Sequence, residues 1–207
     1  MIERDIRRIE CARKELFTLN LGGTAIGTTI NASDYYLHHI VPTLAAVTGY
    51  PLMQADDLFD ATENLDGFVT ISNTLKTCAV NLSKMCNDLR LLASGPRCGL
   101  AEFNLPARQP GSSIMPGKVN PVIPEVMNQI AFKVIGNELC VTMADEAAQM
   151  ELNAMEPVMA QCCFESAELL INGFDTLRIR CVDGITANEE RCLQYVRNSI
   201  GVVTALN

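Results

Sequence analysis

From Phe68 onward the apolar positions fall at Phe68, Ile71, Leu75, Cys78, Leu82, Met85, Leu89 and Leu92. Steps of three and four residues alternate, the spacing of a helix lying nearly parallel to its neighbours. At about 1.5 Å per residue such a helix would be roughly 40 Å long. Ser94-Gly95-Pro96 would end it with a flexible residue and a proline that cannot continue the turn. A lone helix of that length leaves its stripe uncovered, so the pattern predicts helical partners.

Three further segments supply them. Ser33 caps a predicted helix from Asp34 to about Val47, kinked at Pro42. A second runs from about Pro124 to Ala148, with Ile123, Met127, Ile130 and Val134 aligned. A third runs from about Glu156 to Arg180 and closes near Gly184, after which Asn188 caps a last helix from Glu189. At the other end Ile2, Ile6, Ile9 and Leu16 share one face of an amphipathic helix. Asn128, Gln129 and Asn137 lie among apolar neighbours; each must either face solvent or hydrogen-bond across helices. Gly95 to Asn120, rich in proline and glycine, is the longest irregular segment, and such segments on rigid scaffolds often carry function. The whole pattern predicts an all-α fold, a long-helix bundle without internal repeats.

Composition narrows this further. Aromatic residues make up 5% and Trp is absent, so the core must be built from Ala, Leu, Ile, Val, Met and Cys, which suits closely packed helices. A net charge of -8 argues against nucleic acid or an anionic membrane as partner. No apolar run approaches the about 18 residues of a membrane span, and the opening residues lack a charged-then-apolar pattern, so no secretory signal is expected. The nine cysteines show no Cys-x-x-Cys spacing and read as reduced thiols of a cytoplasmic chain. His38 and His39 are the only histidines and have no ligand spacing around them, so no metal site is expected. Both ends fall inside running patterns, which reads as an excerpt of a longer polypeptide.

The chemistry concentrates in Gly111-Ser112-Ser113-Ile114-Met115-Pro116-Gly117-Lys118-Val119-Asn120. Two glycines and a proline make a loop suited to close on a small carboxylate, since glycines let backbone N–H groups approach an anion. Lys118 supplies charge, and Ser112 or Ser113 offers a hydroxyl to move a proton. A nucleotide-binding P-loop is excluded: one residue too many separates the glycines, Val119 stands where a hydroxyl is needed, and no strand precedes.

Gly111-Ser112-Ser113, Pro116, Lys118 and Asn120-Pro121 fill every fixed position of Gly-Ser-Ser-x-x-Pro-x-Lys-x-Asn-Pro. This block resembles the signature of the superfamily that includes aspartases, class II fumarases, argininosuccinate lyases and adenylosuccinate lyases. Leu21 to Thr28 resembles the family's Gly-Gly-Thr-Ala-x-Gly-Thr helix, and Cys86 to Leu92 and Ser94 to Arg97 are similar to family segments. Pro121 to Val126 and Gly184 to Asn188 look like the ammonia-lyase branch rather than the fumarase branch.

The resemblance implies that residues 1–184 are the latter part of the central helical domain, with the signature loop at 106–120, and that 185–207 open a small C-terminal domain. It also implies a homotetramer acting without an organic cofactor on a small dicarboxylate, L-aspartate. By resemblance Ser112 is the base that removes the Cβ proton, in an anti β-elimination through an aci-carboxylate to fumarate and ammonia. Ser113 and the backbone of Ile114 and Met115 would stabilise that intermediate, and Lys118 and Asn120 would hold the other carboxylate. Glu125 corresponds to the carboxylate that pairs with an active-site histidine. The family builds each site from three regions on different subunits. The Thr/Ser-rich and histidine-bearing regions have no counterpart here, so the isolated chain is expected to be inactive. The alternatives are a class II fumarate hydratase fragment and a non-catalytic helical oligomerisation module.

Overall fold

The structure, a computed structural model, describes residues 1–206. In chain order the elements are α1 (Ile2–Ala12), β1 (Thr18–Leu19), α2 (Asp34–Thr48), β2 (Met53–Gln54), α3 (Asp60–Glu63), α4 (Asp66–Leu92), β3 (Phe103–Asn104), α5 (Val122–Glu146), α6 (Glu156–Arg180), β4 (Thr186–Ala187) and α7 (Glu189–Asn198). The fold is all-α; the strands are two-residue pairings that tie down loops. Asn207 lies outside the described residues.

The chain divides into two compact units, and the division falls within α4, α5 and α6, so each unit takes part of all three. One unit comprises Met1–Val80 with Phe132–Leu169. Its core joins Ile71 of α4, Val141 and Ala144 of α5, and Met159, Cys162 and Cys163 of α6, with Ala12 of α1. Polar ties cross between these helices. Lys76 Nζ lies 2.9 Å from Glu138 Oε2. Asn137 Nδ2 donates to Ser166 Oγ at 3.1 Å and to Glu165 Oε2 at 2.8 Å. The backbone N–H of Leu65 donates to Asp145 Oδ1 at 3.1 Å. β1 pairs with β2 in parallel, Thr18 opposite Met53.

The other unit comprises Asn81–Ala131 with the chain from Leu170 onward. Leu82 and Cys86 of α4, Met127 and Ala131 of α5, and Leu170 and Leu177 of α6 are buried in it. β3 pairs antiparallel with β4, Phe103 opposite Ala187. This gives the long segment between α4 and α5 an anchor that apolar periodicity does not register.

Several expectations change in detail. In α4 the buried side runs Ile71, Leu75, Cys78, Ala79, Leu82, Cys86, whereas Met85, Leu89 and Leu92 are only half-buried. A straight helix repeats every 3.6 residues, so a strict 3.5-residue stripe drifts off the covered face over several turns. α2 spans Asp34–Thr48 with Pro42 inside it, and Ser33 caps it as expected, its Oγ accepting from Tyr36 N at 3.3 Å. In α1 the covered side is turned somewhat from the predicted stripe, and Ile9 of that stripe is half-buried. Asp5 and Ala12 are buried, Asp5 held by Arg8 at 2.8 Å, while Ile2 and Ile6 are exposed.

Leu21 to Thr28, expected as helix, is irregular. Gly22, Thr24, Gly27 and Thr29 all have positive φ, which no right-handed helix accommodates. Gly27 is there for space as well, since a Cβ would come 2.5 Å from Leu58 O and Phe59 N. Asn188 precedes α7 as expected but does not cap it. Its Nδ2 instead donates to Ala101 O at 2.7 Å, and its Oδ1 accepts from Asn104 at 2.7 Å, binding the chain around α7 to β3.

The amides of α5 divide between the two expected outcomes. Asn128 and Asn137 are each 4% exposed and bonded across helices, whereas Gln129 is exposed. The cysteines are all free thiols, and Cys78, Cys86, Cys162, Cys163 and Cys181 are buried. Burial pushes the Cys78 and Cys86 thiols up to about 11, with smaller contributions from Asp5 and Cys181 respectively. No helix among the described residues is long and apolar enough to cross a membrane.

Two outcomes follow from this packing. Iodoacetamide at neutral pH should modify exposed Cys11 and Cys98 first and reach Cys78 and Cys86 only on unfolding, as read by peptide mass spectrometry, because the thiolate is the reactive form. The second concerns Lys133 and Glu165, 2.8 Å apart. Hydrogen bonds from Lys133 and then Asn137 hold the Glu165 carboxyl below its ordinary value, and the bond to Glu165 raises Lys133. The Glu165 contribution is therefore complete above the unfolded carboxyl value and lost as pH falls through the lower folded one. That of Lys133 is complete below its unfolded value and lost as pH rises through the raised one. Glu165→Gln should flatten the acid limb of melting temperature against pH, below the ordinary carboxylate range.

Candidate active site

The signature loop is a hairpin pinched at its base. Pro110 and Val119 form an isolated antiparallel bridge, and Gly111 N donates to Lys118 O at 2.9 Å. Gly111 is required at this crossing, because a Cβ would come 2.3 Å from Lys118 O. Within the hairpin Lys118 N donates to Met115 O at 3.2 Å, and Gly117 takes φ 78° to turn the chain.

Ser112 sits just inside the pinch and is half-buried. Its Oγ accepts from two backbone N–H groups, Ile114 at 3.1 Å and Met115 at 3.3 Å. This is a local serine turn, the bond pattern expected of a hydroxyl in a Gly/Pro loop. It also places two fixed dipoles on one hydroxyl oxygen, which favours negative charge there over the neutral form. The N–H groups of Ile114 and Met115 are thereby committed to Ser112 in this conformation.

Ser113, Ile114, Met115 and Lys118 are exposed, Ile114 at 87%. Among the described residues Lys118 has no ion-pair partner, so its ammonium is free to meet an anion. Asn120 closes the loop half-buried, and its carbonyl accepts from Val122 N at 2.9 Å as α5 begins.

Glu125 is in the first turn of α5, where the helix dipole favours a carboxylate. The pinch joins Gly111, next to Ser112, to Lys118, but Glu125 is tied elsewhere: its Oε1 lies 3.8 Å from Arg90 Nη2. Arg90 Nη1 also donates to Asn128 Oδ1 at 3.2 Å. Sequence reasoning singled out Asn128 as an amide needing a partner and the segment that holds Arg90, but not the link of either to Glu125. Arg90 is a basic residue in the last turn of the long helix, and nothing in sequence spacing pairs it with a carboxylate 35 positions on. His38 and His39 bond to the carbonyls of Asp34 and Tyr35 in their own helix. Among the described residues no cluster of three or more His, Cys, Asp or Glu is arranged to hold a metal ion.

With this geometry in hand, comparison with known proteins is informative. The chain is 54% identical over 207 residues to an aspartate ammonia-lyase of Bacillus subtilis (strain 168), covering all of this chain and 44% of that protein. It thus spans less than half the length of the curated relatives it matches. Among solved structures, the fumarate lyase:delta crystallin of Brucella melitensis bound to cobalt matches with TM-score 0.95 and 50% identity, over 99% of this chain and 44% of that one. A recombinant class II fumarase from Schistosoma mansoni matches with TM-score 0.95 and 32% identity, over 99% of this chain and 46% of that one. Residues 1–136 match the family model described as lyase, and the chain belongs to this lyase family, the superfamily to which the spacing of its loop pointed.

Proposed function

We propose that this chain is part of an aspartate ammonia-lyase, which converts L-aspartate to fumarate and ammonia. The observation that carries the reading is the joint spacing of Gly111-Ser112-Ser113, Pro116, Lys118 and Asn120-Pro121 in one hairpin, in which Ser112 Oγ accepts two backbone N–H bonds. The names of the relatives support the substrate.

An ordinary serine hydroxyl is far too weak an acid to serve as a base at neutral pH. It becomes one only if its alkoxide is stabilised. Two N–H dipoles aimed at Oγ and the Lys118 ammonium on the same hairpin are the groups available for that. In the reaction the Ser112 alkoxide takes the Cβ proton of aspartate, and the electron pair of that C–H bond moves into the neighbouring carboxylate. The resulting aci-carboxylate then forms the C=C bond as the Cα–N bond breaks and ammonia leaves. Ser113 offers a hydroxyl donor for the dianion. Since Ile114 and Met115 already bond Ser112, we assign their N–H groups to the base first. Lys118 and Asn120 grip the other carboxylate, as a point charge and an oriented amide. Glu125 serves as partner to a histidine carried by another part of the enzyme.

In this reading residues 1–184 belong to the central helical domain and 185–207 open the C-terminal one. The enzyme is a cytoplasmic homotetramer, assembled in part through the apolar surface of α5. Phe132, Leu139 and Met143 on that helix are all more than half exposed here. The class II fumarase that matches at TM-score 0.95 favours one second reading, a fumarate hydratase that expels water by the same base.

The experiments use a polypeptide carrying this chain together with the part of the relatives it does not span. It should turn over aspartate and not malate, with fumarate followed by absorbance; turnover of malate alone would transfer the assignment to the hydratase. Ser112→Ala should lower kcat by about 10³-fold or more while calorimetric binding of aspartate changes little, and near-normal turnover would remove Ser112 as the base. The 207-residue chain by itself should form no fumarate; measurable production by the purified chain would show that no other region is needed.

A further inference from the structure

Arg90 stands in the last turn of α4 and reaches two groups on the opening turns of α5. One is Asn128 Oδ1, to which Nη1 donates at 3.2 Å. The other is Glu125 Oε1, 3.8 Å from Nη2.

The two partners are not equally fixed. Asn128 is 4% exposed, and its Nδ2 donates both to Ser83 O at 3.1 Å and to Ser83 Oγ at 2.8 Å. Turning that carboxamide over would break both bonds and point its N–H groups at a guanidinium, which has donors only. The direction of Oδ1 is therefore set by Ser83. A guanidinium is a planar fork, so fixing one nitrogen on Oδ1 fixes where the other is presented.

The side chains of Arg90 and Glu125 are 41% and 37% exposed. An ion pair so open to water and so long adds little to stability. What this arrangement secures is position. A cation bonded to Asn128 on one side stands within ion-pair distance of one oxygen of a carboxylate on the neighbouring helix, leaving the second oxygen to other partners.

We infer that Arg90 is a positioning residue for Glu125: anchored by Asn128 and Ser83, it holds Oε1 and thereby aims Oε2. This rests on the reading of Glu125 as a carboxylate that works in turnover. The chain of contacts runs from Ser83 in α4, through Asn128 in α5, back to Arg90 in α4 and on to Glu125. The last turn of one helix thus orients a group in the first turn of the next.

A kinetic double-mutant cycle in the longer polypeptide described above tests this. Arg90→Gln should lower kcat by about 100-fold, the scale of a small misplacement of a working group. KM should change by less than about threefold, and the melting temperature should stay near that of the unmodified enzyme. Added to Glu125→Gln it should lower kcat no further, because position matters only for a carboxylate that is present. Independent, multiplying effects would overturn the inference, and so would a normal kcat in Arg90→Gln beside an impaired Glu125→Gln. If Arg90→Gln does not fold, Arg90→Lys takes its place in the cycle and the same two results decide, since an ammonium is a point charge that cannot span both partners. A normal kcat in Glu125→Gln would instead remove the role of Glu125, and this inference with it.

Discussion

A carboxamide taken out of water must find partners inside the protein, and α5 buries two of them, Asn128 and Asn137. Leaving such a group unpaired costs about 1–3 kcal/mol, a large share of the net stability of an ordinary domain. The apolar contacts around them are non-directional: Leu82, Met127, Val134 and Met159 would bury nearly as much surface after a small slide. Amides do not tolerate that slide. Asn128 meets Ser83 of α4, and Asn137 meets Ser166 and Glu165 of α6, each within its own compact unit. Apolar burial supplies the driving force, and these few polar pairs select the register. Because α5 begins directly after the signature loop, the register at Asn128 also decides where Glu125 stands, one turn earlier.

The loop obeys a different constraint. Its base is closed by backbone bonds between Gly111 and Lys118, and it continues straight into a helix, so the positions of Ser112 and Asn120 are tied to the scaffold. The residues between them are largely open to water, with Ile114 the extreme case. A hairpin with a fixed base and a solvated tip keeps its functional groups in order while leaving their environment to be completed. The same economy appears at β3 and β4, where two residue pairs and the Asn104–Asn188 contact hold the rest of the long connection.

Much of this was legible in the sequence, for reasons that also explain the failures. The long helices follow from apolar periodicity over many turns, where summed preference outweighs local noise. α5 begins two residues before the predicted Pro124, an ordinary uncertainty of helix ends. The signature spacing locates the loop, because catalytic geometry constrains residue type and separation together. What stays hidden depends on partners distant in the chain. Asn188 has the place of a cap because it precedes a helix, but the carbonyl of Ala101 and the side chain of Asn104 compete for its amide and win. The apolar stripe of α1 points a little to one side of the covered face, because Asp5 goes inside with Arg8 as its partner. For Leu21 to Thr28 the expectation of a helix rests on the resemblance alone, against its three glycines. Only the tight approach of Gly27 to the Leu58–Phe59 backbone shows why the chain bends there instead.

The exposure of the loop bears directly on the chemistry assigned to it. Two N–H dipoles on Ser112 Oγ are worth little while water competes for the same oxygen, because at the dielectric of bulk solvent two unit charges 4 Å apart interact by only about 1 kcal/mol. At an effective dielectric near 20 the same interaction is about four times larger. A serine must be made more acidic by several orders of magnitude to act as a base, so the hairpin seen here holds the right atoms in the wrong medium. Water has to be displaced from Ser113, Ile114, Met115 and Lys118 before the stabilisation becomes large enough. In the proposed reaction a bound dicarboxylate would remove part of it, and exclusion of water from the exposed tip would have to remove the rest.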